Sequence, residues 1–265
     1  MRYQIDHDFH IHSNLSLCCG DPLADPEHIL RLYEQAGFRK ICLTNHCWDE
    51  DIYLGPGRYQ THTFTHICKA LPLPQSSTTT FCFGAETDMD KFLTVGMLPD
   101  KIEKLDFLVV ATTHMHLSGF AVEKDLQTSE ARSVLWASRL AALLDKNLPW
   151  RKVGIAHLTD GHIDPGGDFL HTLSLVPDDT MYTLFKKAAA LGCGIELNFD
   201  PAGYEGSKLD QLLRPYRIAK EAGCKFYLGS DFHGLKNYGA EPPMFAYFER
   251  MLNALDLSED DKFDF

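Results

Sequence analysis

The stretch PDDTMYTLFKKAAALGCGIELNFDPAGYEGSKLDQLLRPYRIAKEAGCKFYLGSDFH, residues 177–233, holds two helix-to-strand passages in succession. Residues 177–191 read as a helix closed by Gly192. Residues 207–222 read as a second helix closed by Gly223, with Pro215 a kink or break inside it. Each is followed at once by a short apolar run, 194–197 and 225–228, of the kind that forms a strand buried on both faces. Alternation at this spacing builds a parallel sheet, because parallel neighbours need a crossover and a helix is the usual one.

The same alternation continues toward the N-terminus. Five further apolar runs, 3–8, 40–43, 80–84, 107–111 and 153–156, bring the strand count to seven. Asp25-Pro26-Glu27 supplies an N-cap, a first-turn proline and a first-turn acid for a helix that Gly37 closes. Residues 128–146 form another, with Val134, Leu135, Ala137, Ser138, Ala141 and Ala142 along its expected core-facing side. Residues 243–255 make a last helix, and the acidic tail beyond, about 256–265 with Ser258-Glu259-Asp260-Asp261, is expected to fray. Two long loops, 49–59 and 160–176, are candidate substrate lids. With no shift in composition, one α/β domain spanning 1–265 is expected, and 265 residues is near the usual size of one barrel.

Composition narrows the partners. A formal charge of −12 argues against a groove that tracks nucleic acid, while bound cations can still draw an anionic substrate into a cleft. No apolar run approaches a membrane span and no leader is evident, so a soluble, cytoplasmic protein is expected. The eight cysteines form no CxxC pair, and Cys42, Cys82, Cys193 and Cys224 lie in or beside strand-like runs, as reduced, buried thiols do. Oligomeric state is not legible.

The residues just past each strand carry the chemistry. The runs lead in order to His10-Ile11-His12, His46, Glu86, His114, His157, Glu196 with Asn198, and Asp231-Phe232-His233. In a parallel barrel all C-terminal strand ends meet on one face, and side chains two apart on an extended segment point the same way. HxH and DxH would then each offer two ligands to a shared cluster. Imidazole with carboxylate suits Zn, Fe or Mn.

The ordered set DFHIHS (8–13), LTNH (43–46), GAE (84–86), ATTH (111–114), IAH (155–157), IELN (195–198) and GSDFH (229–233) resembles the polymerase-and-histidinol-phosphatase (PHP) superfamily across nearly the whole chain. The length and the IELN–helix–GSDFH order are most similar to its histidinol-phosphatase branch. The resemblance implies a distorted, TIM-like (β/α)7 barrel with three divalent metal ions. His10, His12, Glu86 and Asp231 would hold one. Glu86 would bridge to a second, held also by His114 and His157. His46 and His233 would hold the third, with one more ligand from the loop after HxH. Family members often carry an Asp five residues past the second His, where this chain has Leu17, so Asp21 is the candidate ligand and Cys18 the second. Where the family often reads TDH, Thr44-Asn45-His46 keeps a hydrogen-bonding side chain and loses a charge.

Other polar residues receive lesser roles. His116, two past His114, is a candidate substrate contact, as are His162 and His171 in the fifth loop. Arg151, before strand five, and Arg58 are candidate phosphate clamps. Glu196 is expected to support the site from below rather than to ligate. His7 is expected to face outward, and His28, His62 and His66 to be structural or on the surface.

The expected chemistry is hydrolysis of a small phosphorylated metabolite by a metal-bridging hydroxide, with Asp231 or His233 moving a proton to the leaving oxygen. L-histidinol phosphate is the leading named substrate, which would place the enzyme in histidine biosynthesis. An amidohydrolase-type barrel cutting C–N or C–O bonds shares the HxH opening, but Glu86 and GSDFH argue against it. A nuclease or a non-catalytic PHP domain fits less well with an acidic chain and a nearly complete ligand set.

Overall fold

Ile41, Cys42 and Leu43 expose no surface, nor does any residue of the run 107–111, so these segments are strands covered on both faces. The computed structural model describes residues 1–53, 60–126, 128–234 and 244–265. Its seven strands are β1 (His7–Ile11), β2 (Lys40–Leu43), β3 (Thr80–Asp88), β4 (Phe107–Ala111), β5 (Val153–Ala156), β6 (Gly194–Leu197) and β7 (Lys225–Leu228). They pair in chain order, and every pair is parallel. Helices α1 (Pro26–Gln35), α2 (Phe64–Ile67), α3 (Pro99–Ile102), α4 (Ser129–Leu144), α5 (Phe169–Ser174), α6 (Asp178–Leu191), α7 (Gly206–Glu221) and α8 (Met244–Leu255) occur between and after them. This is the expected distorted (β/α)7 barrel in a single domain. Among the described residues no helix is long and apolar enough to cross a membrane.

The barrel is nearly closed, and its last seam is built by side chains. One isolated bridge joins Ile11 of β1 to Phe232, four residues past the end of β7, with the His12 N–H donating to the Phe232 carbonyl at 2.9 Å. Below it, the Leu228 N–H donates to Nε2 of His7 at 3.1 Å, and the Tyr3 hydroxyl donates to the Phe226 carbonyl at 2.7 Å. Asp8 accepts from the Ser230 N–H at 3.0 Å and the Tyr33 hydroxyl at 2.6 Å. His7 therefore does not face outward as expected; it is buried because its ring stands in for a missing strand carbonyl.

The floor of the barrel is aromatic. Phe9, Phe107, Tyr227 and Phe263 pack with Cys42, Cys82, Val109 and Ala156, and Phe265 stacks on Phe107 at 4.5 Å. Each such buried ring contributes roughly 1.5–3 kcal/mol. Gly154 makes room for them, since a Cβ there would lie 2.5 Å from the Tyr227 hydroxyl. The tail that supplies Phe263 and Phe265 is ordered, contrary to the expectation that it frays. Ser258 and Asp261 form a capping box, the Phe263 N–H donates to the Phe226 carbonyl at 2.7 Å, and Lys262 pairs with Asp6 at 2.6 Å.

Other boundaries also shift. The first strand is His7–Ile11 rather than 3–8, which brings His10 into the strand itself. Pro215 lies inside α7 without ending it. Segment 160–176, expected as a lid, is packed: it holds a 3-10 turn at Gly161–Ile163 and α5, and it buries Ile163, Leu170 and Leu173. Most of the other lid candidate, 49–59, and with it Arg58, lies outside the described residues. In α4 the buried face is Arg132, Ser133, Trp136, Arg139, Leu140, Leu143 and Leu144, while Val134 is 69% exposed. Apolarity is a poor guide here because two guanidiniums serve the core. Arg139 donates to the carbonyls of Thr112, Met89, Asp90 and Ala121, and Arg132 pairs with Asp164 at 3.3 Å.

Candidate metal centre

A bulge starts the site. Asp8 pairs with Ile41 and Ile11 with Leu43, so β1 carries one residue more than its partner between these points. That extra residue lets consecutive side chains turn inward: Phe9 joins the floor and His10 the cluster above it. Beyond the bulge His10 and His12 share a side, with their Nε2 atoms 3.1 Å apart. On β3, Cys82, Gly84, Glu86 and Asp88 alternate on the inner face, and Glu86 reaches the centre of the mouth. His157 and Asp231 sit at φ 58° and 53°, a region costly for non-glycine residues. The hydrogen bond from the Thr113 hydroxyl to the His157 carbonyl, 2.8 Å, helps hold the first of them.

Around Glu86 stand five imidazole nitrogens: His46 at 2.7 Å, His12 at 3.3 Å, His10 and His157 at 3.4 Å, and His114 at 3.8 Å. Asp231 enters from the other side, 3.0 Å from His12 and 3.5 Å from His10. Glu86 is 1% exposed, yet neither of its oxygens has a hydrogen bond of acceptable geometry. A buried carboxylate without a partner is costly, and here its neighbours are ligand atoms.

The tautomers point the same way. Nδ1 of His10 lies 2.5 Å from Glu196, and Nδ1 of His114 lies 2.6 Å from Asp88; carboxylates accept, so these nitrogens donate and leave Nε2 with its lone pair toward the mouth. Nδ1 of His12 meets Ser16 Oγ at 3.1 Å. The Ser16 hydroxyl donates to Asn45 Oδ1 at 3.0 Å, and the same oxygen accepts the Ser13 N–H at 2.8 Å. Asn45 thus performs the supporting role expected of that position. Nδ1 of His233 donates to the Asp231 carbonyl at 2.7 Å.

Charge in the cluster is interlocked. Burial raises the carboxyl of Glu86, but His46 and His10 outweigh it and hold it well below its usual range. Burial is likewise outweighed at Asp231, chiefly by His10 and His12. Burial lowers the imidazoles, and carboxylates reverse this at three of them. Glu196 and Glu86 raise His10, Asp88 raises His114, and Glu196, Glu86 and Asp231 push His157 up to about 10. At His46 and His233 burial prevails, reinforced by His12, and His233 falls to about 4.

All eight barrel-mouth residues expected as ligands meet: His10, His12, His46, Glu86, His114, His157, Asp231 and His233. Among the described residues, donor atoms fall within 4.8 Å of one another in the groups His10–His12–Glu86–Asp231, Glu86–His114–His157, His12–His46–His233 and His10–His157–Glu196. This donor set, imidazoles with a central orphaned carboxylate, fits divalent cations such as Zn, Fe or Mn. Glu196 meets Nδ1 of His10 with one oxygen, and its second oxygen accepts the His157 N–H at 3.0 Å. Asp21 joins none of these groups; its Oδ1 accepts the Leu23 N–H at 3.1 Å. Cys18 joins none of them either, but its Sγ lies 3.0 Å from Nε2 of His233.

His116 and His162 come together at the rim, with ring centroids 4.0 Å apart and 5.2 and 5.5 Å from His114. His171 is on the exposed side of α5. Arg151 is a correction. It lines a groove with Lys40, Thr80 and Lys225, the first residues of three strands, so it sits at the barrel end opposite the cluster. A residue preceding a strand must lie there. His62 and His66 are structural, as expected: His62 Nε2 accepts the Leu17 N–H at 2.8 Å and His66 Nε2 meets the Leu15 carbonyl at 2.9 Å, fixing the loop after HxH. Two supports, Asp88 and Ser16, are not among the expected residues. The signal for Asp88 is the spacing that pairs the two histidines of HxH, since it lies two residues past Glu86.

No family model and no curated protein sequence matches the chain. Solved structures do share its fold. A histidinol phosphate phosphatase from Lactococcus lactis, crystallised with zinc, L-histidinol and phosphate, is similar over 98% of this chain and 99% of its own, with a TM-score of 0.63 at 14% identity. A candidate histidinol phosphatase from Listeria monocytogenes covers 91% of this chain and 99% of its own, with a TM-score of 0.61 at 14% identity. The chain therefore has the barrel fold of histidinol phosphate phosphatases.

Proposed function

We propose that this chain is a metal-dependent phosphomonoesterase of the PHP superfamily, acting on a small phosphorylated metabolite, with L-histidinol phosphate the leading substrate. The observation that carries this reading is Glu86, a carboxylate 1% exposed, without a hydrogen bond of acceptable geometry, and ringed by five imidazole nitrogens at 2.7 to 3.8 Å. Bound divalent cations would supply a water of lowered pKa and offset charge on the transferring phosphoryl group.

The chain's own residues have separate tasks. His10, His12, Glu86 and Asp231 form one holding set, Glu86, His114 and His157 a second, and His46 with His233 a third. Glu196, Asp88 and Ser16 orient the imidazoles from behind. Asp231, with its side chain 30% exposed, is the carboxylate of the cluster nearest solvent. The histidines around it hold its carboxyl below the usual range, and burial lowers His233, whose proton stays on Nδ1 against the Asp231 carbonyl. The Asp231 carboxylate would take the proton of the attacking water and return it to the leaving oxygen, with His233 held beside it. His116 and His162 flank the mouth as contacts for the substrate. The Lactococcus lactis protein, crystallised with L-histidinol and phosphate, supports the choice of substrate.

The test is an assay of stripped and reloaded protein on phosphomonoesters, L-histidinol phosphate among them, beside amides, lactones and single-stranded DNA. Metal-dependent phosphomonoester cleavage is expected. Undiminished turnover after exhaustive stripping, or cleavage confined to amides or lactones, would reject the reading.

A further inference from the structure

The third group joins His46 and His233 to His12, which the first group also uses, so a further donor would complete it. Resting on the phosphatase reading, we propose that Cys18, as a thiolate, is that donor, completing the site with His46 and His233. Cys18 Sγ is 3.0 Å from Nε2 of His233. The carbonyl of Asp231 can only accept, so the proton of a neutral His233 is on Nδ1, and Nε2 presents its lone pair to the sulfur. One ion binds an imidazole nitrogen at about 2.0 Å and a thiolate at about 2.3 Å, which places two such donors roughly 3.5 Å apart in a tetrahedral shell. The observed separation needs only a small opening.

Cys18 is also held in place. Its neighbour Cys19 is buried and donates its N–H to the Ser16 carbonyl at 2.9 Å, and Leu17 donates to His62. Ser16 in turn is tied to His12 and Asn45. The loop therefore presents the Cys18 thiol to the mouth while its flanking residues stay fixed. Glu86, 1% exposed, lies 2.7 Å from Nδ1 of His46, so a buried carboxylate already borders this position. Asp21, the other loop candidate, is engaged by the Leu23 N–H and packs against the backbone of Gly234, where a Cβ would come within 2.7 Å of its own.

Binding forms a sulfur–metal bond, and the thiol proton leaves to solvent; nothing is oxidised or reduced. Soft or borderline ions such as Zn and Fe are favoured there over Mn, Mg or Ca. Cys18 is exposed, so an alkylating reagent reaches it whenever the ion does not cover it.

Stripped full-length protein is titrated with Co2+, following near-ultraviolet thiolate-to-cobalt charge-transfer absorbance and the bound-ion count. The wild type should develop the band. Cys18→Ser should lack it and hold one ion fewer, whereas Cys19→Ser and Asp21→Asn should keep both. A band that survives in Cys18→Ser, or an ion lost in Asp21→Asn and retained in Cys18→Ser, overturns the proposal. Zn2+ should slow iodoacetamide labelling of Cys18 by at least about tenfold; equal rates with and without Zn2+ also overturn it. None of these readouts involves turnover. A cobalt–thiolate band in a protein that cleaves no phosphoester would sink the functional reading alone, and phosphoester cleavage without the band would sink this one alone.

Discussion

The carboxylate of Glu196 reaches 2.5 Å from Nδ1 of His10 with one oxygen and takes the His157 N–H at 3.0 Å with the other. One buried acid on β6 thereby aims ligands that arrive on β1 and after β5. Glu196→Gln keeps the shape but removes the charge that holds the His10 proton on Nδ1. Metal affinity should fall roughly 10- to 100-fold, the usual cost of such a supporting group. Calorimetric titration with Zn2+ checks this, and affinity within twofold of the wild type would refute it.

Gly229 lies under that same acid. A Cβ there would stand 2.2 Å from Glu196 Oε1. Gly229→Ala should push Glu196 off His10 and cost about 1–3 kcal/mol in overpacking. Urea unfolding should show the loss of stability, and the bound-metal count should fall with it. A variant with full metal content and an unchanged midpoint would mean that Glu196 has more room than the structure gives it.

His12 faces two donor groups, one with His10, Glu86 and Asp231 and one with His46 and His233. His12→Ala should therefore lower turnover by more than about 100-fold, beyond the cost of a supporting group, while circular dichroism stays native. Activity that persists at the wild-type level would contradict the assignment.

Acid sensitivity has a source outside the histidine cluster. Burial would lift the Asp6 carboxyl, but hydrogen bonds from His7 and Lys262 outweigh it and lower it to about 2. An unfolded Asp titrates near ~3.9, so the folded state binds fewer protons between these values. The resulting stability is present above about pH 4 and is lost as pH falls toward 2. Asp6→Asn should flatten the fall of unfolding free energy over that window by on the order of 1 kcal/mol. Parallel urea titrations at pH 4 and pH 2.5 compare the slopes; equal slopes would refute the linkage.

Phe263 is 5% exposed and completes the floor against Phe107 and Tyr227. Phe263→Ala should destabilise by about 3–5 kcal/mol. An unchanged unfolding midpoint would show that the tail is dispensable to the core.

Five of the seven strands are legible in the sequence as apolar runs, and the mouth residues as the polar positions at or just past strand ends; β3 runs on to Asp88, four residues beyond its apolar run, so Glu86 lies within it. The rest is hidden for identifiable reasons. The start of β1 is masked because His7 and Asp8 look like surface residues, although they close the seam with β7. The α4 face is masked because Arg132 and Arg139 carry buried hydrogen bonds that no hydropathy pattern displays. The tail looks frayed because its acids outnumber its two anchoring rings. Arg151 is near the site residues of strand five in sequence, although the direction of that strand puts it at the far end.

The β1–β7 seam has a consequence for how the molecule is made. Its two halves come from opposite ends of the chain, and the last holding residues, Asp231 and His233, come directly after the later half. During synthesis the first six strands emerge without the stave that locks onto β1, and His10 and His12 wait with an incomplete set of companions. Ion capture by the proposed centre would then be among the final events of folding. A nascent chain stalled before residue 231 would expose a half-built mouth able to pick up metal loosely and indiscriminately.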